Sequence, residues 1–234
     1  MTHTKKVLDH GFVTLRNIAG PTRRTGAEFD ASDVDVANSA RMSFDASDLE
    51  RSYEIEMKLN RYLLANKHMT PFESIEVWLE MKLPIFVARQ FVRHRTAALN
   101  EVSGRYVTLP AEWYIPEVVG GKPIDKKQGQ SDSLGVFAQE VFRKELNDHC
   151  FNGYSNYIVA MERGVAPEHA RMFLSLNHYT HWLWKQDLRN LMHFLALRTH
   201  SHAQVEAQAY ANAVVELLEP TIPGLINLYK ELVA

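Results

Sequence analysis

The sequence predicts a helix-rich α+β fold. Three observations carry that reading. Ser133–Arg163 and Asp187–Glu219 are long helical stretches, the second without a single Pro or Gly. "SIEVWLEMKL" (Ser74–Leu83) alternates Ile75, Val77, Leu79, Met81 and Leu83 with Glu76, Glu80 and Lys82, the two-residue period of a strand with one buried face. Val7–Gly20 reads as a short hairpin turning at Asp9–Gly11, so the strand has β company.

The elements follow in order. Gly20–Asp30 is a loop and Ser32–Met42 a short helix. Ser47 and Glu50 have the spacing of a capping box before a helix to about Asn66, with Leu49, Tyr53, Met57, Tyr62 and Leu63 as its buried stripe. The strand Ser74–Leu83 leaves Trp78 on its second face, where it needs a further cover, a helix or a subunit. Pro84 opens a helix that runs to Arg95, because proline costs nothing in a first helical turn, where the N–H has no partner to lose. Tyr106–Gln130 is a loop rich in Pro and Gly. Gly164 closes the helical region that starts at Ser133. Pro167–Leu176 is a shorter helix, and another ends the tail after Pro220. No repeat, low-complexity tract or polar linker divides the chain, so residues 1–234 are read as one domain.

Composition narrows the function classes. The chain has 234 residues, 46% hydrophobic and 23% charged, with a formal net charge of −2. A general nucleic-acid binder carries a strong positive excess to meet phosphates, which this chain lacks. Its single cysteine, Cys150, excludes an internal disulfide and a thiolate zinc cluster. The N-terminus "MTHTKKVLDHGF" has no apolar core for a signal peptide, and no run reaches the length of a membrane span. A cytoplasmic location is expected.

Against that near-neutral background, "RHRTAALNEVSGRY" (Arg93–Tyr106) gathers Arg93, His94, Arg95, Asn100, Glu101, Ser103 and Arg105. Gln90 and Arg93 lie three apart and Arg89 and Arg93 four apart, so either pair shares a helical face. A solvated basic helix end explains Arg93–Arg95 through the helix dipole, but not the polar cluster that follows. As loop residues Asn100, Glu101, Ser103 and Arg105 can simply hydrogen-bond locally. As a ligand set they do more: Arg105 can clamp a phosphate with two N–H groups, and Asn100 and Glu101 can read the donor–acceptor edge of a base. Ser103 has no base assigned to it, so it reads as a hydrogen-bonding group.

The late helix adds a second constellation. At about 100° per residue, Asp187, Leu191 and His202 fall within about 40° of Arg198, while Arg189, His193 and His200 gather on the opposite face. Such a helix lies on the surface with a narrow core stripe, or is wedged between two polar cavities or subunits. The eleven histidines include no HExxH, and no glycine-rich dinucleotide fingerprint occurs. No metal site is expected.

These residues carry a resemblance. The spacing Arg93-His94-Arg95, seven residues, Ser103 resembles the signature of the flavin-dependent thymidylate synthases. "SARMSFD" (Ser39–Asp45), "HMTPFE" (His68–Glu73) and "NLMHFLALRTHSHAQVEAQ" (Asn190–Gln208) look like the same family in the expected order. The resemblance implies reductive methylation of dUMP to dTMP, with 5,10-methylenetetrahydrofolate as carbon donor and FAD, reduced by NADPH, as hydride carrier. It also implies helices packed on a mixed sheet, and a homotetramer whose active sites are shared between subunits.

By motif position, the resemblance places dUMP against Gln90, Arg93, Glu101, Ser103, Arg105, Arg171 and Arg198. Of these, Arg93, Glu101, Ser103 and Arg198 are the catalytic candidates. It places FAD against Ser43, His68, Thr70, His94, Arg95, Glu101, Arg189, His193 and His202. Two positions depart from the family pattern: Ala98 where Ser is common, and Asp187 where Asn is common. A chain with this fold that binds nucleotide or flavin without turnover, and a His-rich metal-dependent hydrolase, are the rival readings. Bound flavin colour separates the hydrolase from the others.

Overall fold

A computed structural model of the chain describes residues 3–22, 28–45, 51–123 and 129–233. The alternating segment after Ser74 is the middle of a five-stranded sheet. In chain order the strands are β1 (Thr4–Val7), β2 (Gly11–Ala19), β3 (Glu76–Pro84), β4 (Ala98–Glu101) and β5 (Tyr179–Asp187). Across the sheet they run β1-β2-β3-β5-β4, each antiparallel to its neighbour. The expected mixed sheet is thus antiparallel in its named strands, and among the described residues only an isolated Ala19–Asp30 bridge is parallel. A parallel strand needs a long crossover, whereas β1–β2 closes through a tight turn.

Val77, Leu79, Met81 and Leu83 of β3 are buried, as the alternation requires. Full burial of each such side chain stabilises by about 1.5–3 kcal/mol. They meet Val13, Leu15 and Ile18 of β2 and Trp182 and Trp184 of β5 in one core. Trp78 on the other face is half-buried, with the Lys185 ammonium 5.8 Å from its ring centre. The first strand of the hairpin starts earlier than expected, at Thr4, and ends at Val7, and its turn is Leu8–His10, with Leu8 at φ 58°. Gly11 is required by close approach: a Cβ there would stand 1.9 Å from the Tyr210 hydroxyl.

The helices are α1 (Asp35–Arg41), α2 (Tyr53–Ala65), α3 (Ile85–Phe91), α4 (Val136–Glu162), α5 (Pro167–Ala170), α6 (Leu188–Arg198), α7 (Val205–Leu218) and α8 (Pro223–Leu232). Ser47, Leu49 and Glu50, the expected capping box and first stripe residue, lie outside the described residues. In α2, Leu63 is buried as expected, but Tyr53 and Tyr62 are exposed, and Glu56, Asn60 and Leu64 complete the buried face instead. Polar groups can occupy that face because Glu56 pairs with Arg41 and the Asn60 amide donates to the Asp33 carbonyl. Pro84 is not in the first turn of α3 but is its extended N-cap and the last residue of β3; the helix is also shorter than expected, and Val92 and Arg93 turn the chain toward the edge strand β4. The stretch Ala98–Glu101, read as loop, is therefore strand; its side chains are exposed, so no hydrophobic alternation marked it. The helix expected over Pro167–Leu176 is one turn, α5, continued by a 3-10 turn Arg171–Phe173.

The largest correction concerns Asp187–Glu219. It is two helices, α6 and α7, joined by residues 199–204. Thr199, His200, Ser201 and His202 are all weak helix formers, and the Thr199 hydroxyl turns back on the Leu195 carbonyl at 2.9 Å. Gln204 is extended at ψ 136° and starts α7 anew. The break lets α7 pack on β1 and β2 while α6 packs on β5. His202 therefore does not share a helical face with Arg198.

Candidate active site

Helix α6 is fixed at both ends by chemistry readable in its sequence. Asp187 is its N-cap: one carboxylate oxygen accepts from the Asn190 N–H at 2.9 Å and the other from the Asn190 side-chain amide at 2.6 Å. This explains one departure from the family pattern, since Asn caps a helix as Asp does. Arg198 closes the helix, where a cation meets the negative end of its dipole. Its Nη2 donates to the Gln90 carbonyl at 3.5 Å, and its buried Nε has no hydrogen-bond partner among the described residues. Burial lowers the Arg198 pKa from its ordinary value without discharging it.

Arg198 and Gln90 line a cavity of about 1140 Å³ with His200, His202 and Gln204. The Gln90 amide donates to the Gln204 side-chain carbonyl, which joins α3 to the start of α7. Gln204 was not singled out in the sequence, although it lies within the family-like segment.

A second group forms where β4 leaves the sheet. Glu101 accepts a hydrogen bond from the Thr180 hydroxyl of β5. The Ser103 hydroxyl accepts from the Arg105 backbone N–H at 3.3 Å, a local turn bond and not a nucleophile–base pair. Arg105 Nε stands 3.2 Å from a Glu168 carboxylate oxygen, and Arg171 Nε donates to the Glu168 backbone carbonyl at 3.4 Å. Arg105 and Arg171 are thus brought to one residue of α5. Among the described residues no hydrogen bond or ion pair joins this group to Arg198 and Gln90. Arg93 and Arg95 are exposed in the turns after α3.

The third group surrounds the exposed side of α6. Arg189 pairs with Glu73 of the 3-10 turn Thr70–Ser74, which holds that turn against the helix. The His94 and His193 rings lie 6.2 Å apart, and Phe194 packs edge-on to His94 at 5.0 Å. Burial, then the charges of Arg198 and His193, hold the His94 pKa down to about 4, so the ring is neutral near pH 7. Thr70 and His68 are exposed, His68 against Tyr62 with ring centres 5.8 Å apart. Ser43 is exposed in the 3-10 turn after α1, and α1 packs on the Thr70–Ser74 turn. His202 lies apart from this group, beside His200 with ring centres 4.8 Å apart. Among the described residues no three His, Cys, Asp or Glu side chains are gathered to hold a metal ion.

The donor set suits a flavin dinucleotide held without a glycine-rich loop. Arg95 and Arg189, the latter paired with Glu73, are exposed cations that could meet a pyrophosphate, and the His94 and His193 rings could offer edges to a flat heterocycle. Sequence comparison decides the family. Residues 27–224 match the family described as "Thymidylate synthase complementing protein". This chain belongs to that family.

Its curated relatives are named flavin-dependent thymidylate synthases. The one from Gluconobacter oxydans is 38% identical over 232 residues, covering 97% of this chain and 72% of that protein. The one from Wolbachia pipientis is 38% identical over 229 residues, covering 97% and 76%. Among solved structures, the UMP/dUMP methylase PolB from Streptomyces cacaoi, bound with 5-Br dUMP, superposes with a TM-score of 0.83. It is 26% identical and covers 98% of each chain. The chain is accordingly an enzyme of the flavin-dependent thymidylate synthase family, with FAD as its cofactor. No helix among the described residues is long and apolar enough to cross a membrane.

Proposed function

We propose that this thymidylate synthase methylates dUMP to dTMP, taking the carbon from 5,10-methylenetetrahydrofolate and reducing equivalents from NADPH through FAD. One observation carries the site assignment: Arg198, a partly buried cation whose buried Nε has no partner among the described residues, lines the cavity beside Gln90. A buried donor without a partner costs about 1–3 kcal/mol, which a bound anionic or polarised ligand offsets. The chemistry that FAD supplies when bound is hydride transfer.

The chain's own groups bind and polarise. Arg198 and Gln90, with Arg93, orient the pyrimidine and stabilise negative charge as its C5 becomes nucleophilic. Arg105 and Arg171 hold the nucleotide phosphate, and Glu101 and Ser103 hydrogen-bond beside it. Ser43, His68, Thr70, His94, Arg95, Arg189, His193 and His202, with Glu101, hold the flavin.

We further propose one domain over residues 1–234, a cytoplasmic location, and a homotetramer in which one dUMP meets two chains. Among the described residues the Arg105–Arg171 group and the Arg198–Gln90 group have no hydrogen bond or ion pair between them, so two copies meeting would complete the set. Exposed Phe137, Val141, Phe142 and Phe151 on α4 offer apolar surface for such a contact.

The test is Arg105→Ala. Losing one charged hydrogen bond costs about 1.5–3 kcal/mol, so dUMP should bind at least about tenfold more weakly while flavin absorbance persists. Unchanged dUMP affinity, or loss of flavin first, would overturn the assignment.

A further inference from the structure

Glu168 touches both arginines of the proposed phosphate site, yet the reaction gives it no role. Its carboxylate faces Arg105 Nε at 3.2 Å, and its carbonyl accepts from Arg171 Nε at 3.4 Å. The two guanidinium groups are therefore tied to the chain through Nε. Among the described residues their terminal Nη groups donate no hydrogen bond. The Arg171 stem passes Gly104 at ordinary van der Waals distance, 3.5 Å from where a Cβ would stand, which places the two arginine-bearing segments side by side. The Arg105–Glu168 pair is about half exposed on each side, 53% and 48%. Such a pair is weak and exchanges readily, because water screens it and two long side chains must be ordered.

We propose that the Glu168 carboxylate is a resident counter-ion of the phosphate site, which the nucleotide phosphate displaces from Arg105. This rests on the nucleotide reading above. Two guanidinium groups aimed at one place repel each other, and a carboxylate beside them keeps the free site near neutral. A phosphate monoester carries close to two negative charges at neutral pH and offers three acceptor oxygens. It therefore out-competes one carboxylate for the same donors. The carboxylate then lowers nucleotide affinity twice over, by occupying Arg105 in the free protein and by repelling the phosphate in the complex.

The test compares Glu168→Gln with the unaltered holoenzyme in titrations with dUMP and with deoxyuridine, which lacks the phosphate. Glutamine keeps the shape and the backbone carbonyl but removes the charge. The variant should bind dUMP about three- to tenfold tighter and deoxyuridine no tighter. Glu168→Ala should repeat the gain. Weaker or unchanged dUMP binding in both variants would overturn the proposal, since a carboxylate that positions the arginines gives that result. An equal gain for deoxyuridine would overturn it too, by placing the effect away from the phosphate. If neither protein binds dUMP, the nucleotide reading falls, and the counter-ion proposal with it.

Discussion

Arg105 and Arg198 lie in separate groups of one chain, yet both are assigned to one dUMP, so the site can be tested by mixing chains. The perturbation is a pair of variants, Arg105→Ala and Arg198→Ala, each unable to hold nucleotide properly. Arg105 is half exposed and paired with Glu168, whereas Arg198 is partly buried with an unpartnered Nε. Each loss removes a charged hydrogen bond of about 1.5–3 kcal/mol, a factor of roughly 10–150 in affinity or rate. The homodimeric, tetrameric or higher assemblies of either variant alone should therefore be close to inactive at low dUMP.

The two variants are then mixed in equal amounts after mild dissociation and reassembled. If one chain supplies Arg105 and another Arg198 to a site, each position is intact with even odds, and about a quarter of sites regain both. Activity at low dUMP should rise to about a quarter of the unaltered enzyme's, well above either parent. If both arginines reach dUMP from one chain, no site regains both, however the chains are shuffled. No recovery in confirmed hybrids would refute the two-chain site, and an active monomer at high dilution would refute the shared site altogether.

Three further outcomes follow from the structure. Cys150 is buried, with Ser175 and Asn177 against its sulfur at 3.3 Å, so Cys150→Ala should keep most dTMP formation; loss of activity with fold and flavin intact would implicate the thiol. His178 is buried and, chiefly by desolvation, its pKa is pushed down to about 4, with Lys82 adding to the fall and Glu112 opposing it. Its folded pKa lies below the unfolded value of about 6.5, so stability is fully present above that value and is lost as pH falls toward about 4, by on the order of 2 kcal/mol. Denaturant midpoints should show that drop, and it should shrink in His178→Gln; an unchanged profile would refute the linkage. Asp187→Asn should leave stability within about 0.5 kcal/mol because the cap survives, whereas Asp187→Ala should cost about 1 kcal/mol in thermal or denaturant unfolding. Equal losses would show that charge, not capping, matters there.

Much of this protein was legible from local sequence. The alternation at Ser74–Leu83 marked β3, Gly164 marked the end of α4, and the turn before Gly11 marked the hairpin, because periodicity and backbone freedom act over a few residues. The Arg93–Ser103 spacing carried the family resemblance without any structure. Strand β5 went unassigned: "YTHWLWKQD" buries Thr180, Trp182, Trp184 and Gln186 on one face, but Leu183 between the tryptophans hides the two-residue period. Its paired tryptophans and β-prone Tyr179 and Thr180 were the available signal.

Tertiary structure decided that the chain breaks between α6 and α7, since neither Pro nor Gly marks the place and weak helix formers permit a break without requiring one. The break follows from a run of weak helix formers and from the packing that α7 gains against β1 and β2. It also decided which cations share a neighbourhood. Arg105 and Arg171 are far apart in sequence but meet at Glu168, while Arg105 and Arg198, assigned together by motif, share no bonded partner among the described residues. Local sequence sets which residues can hold an anion; only the folding of distant segments onto one another sets which of them face the same one.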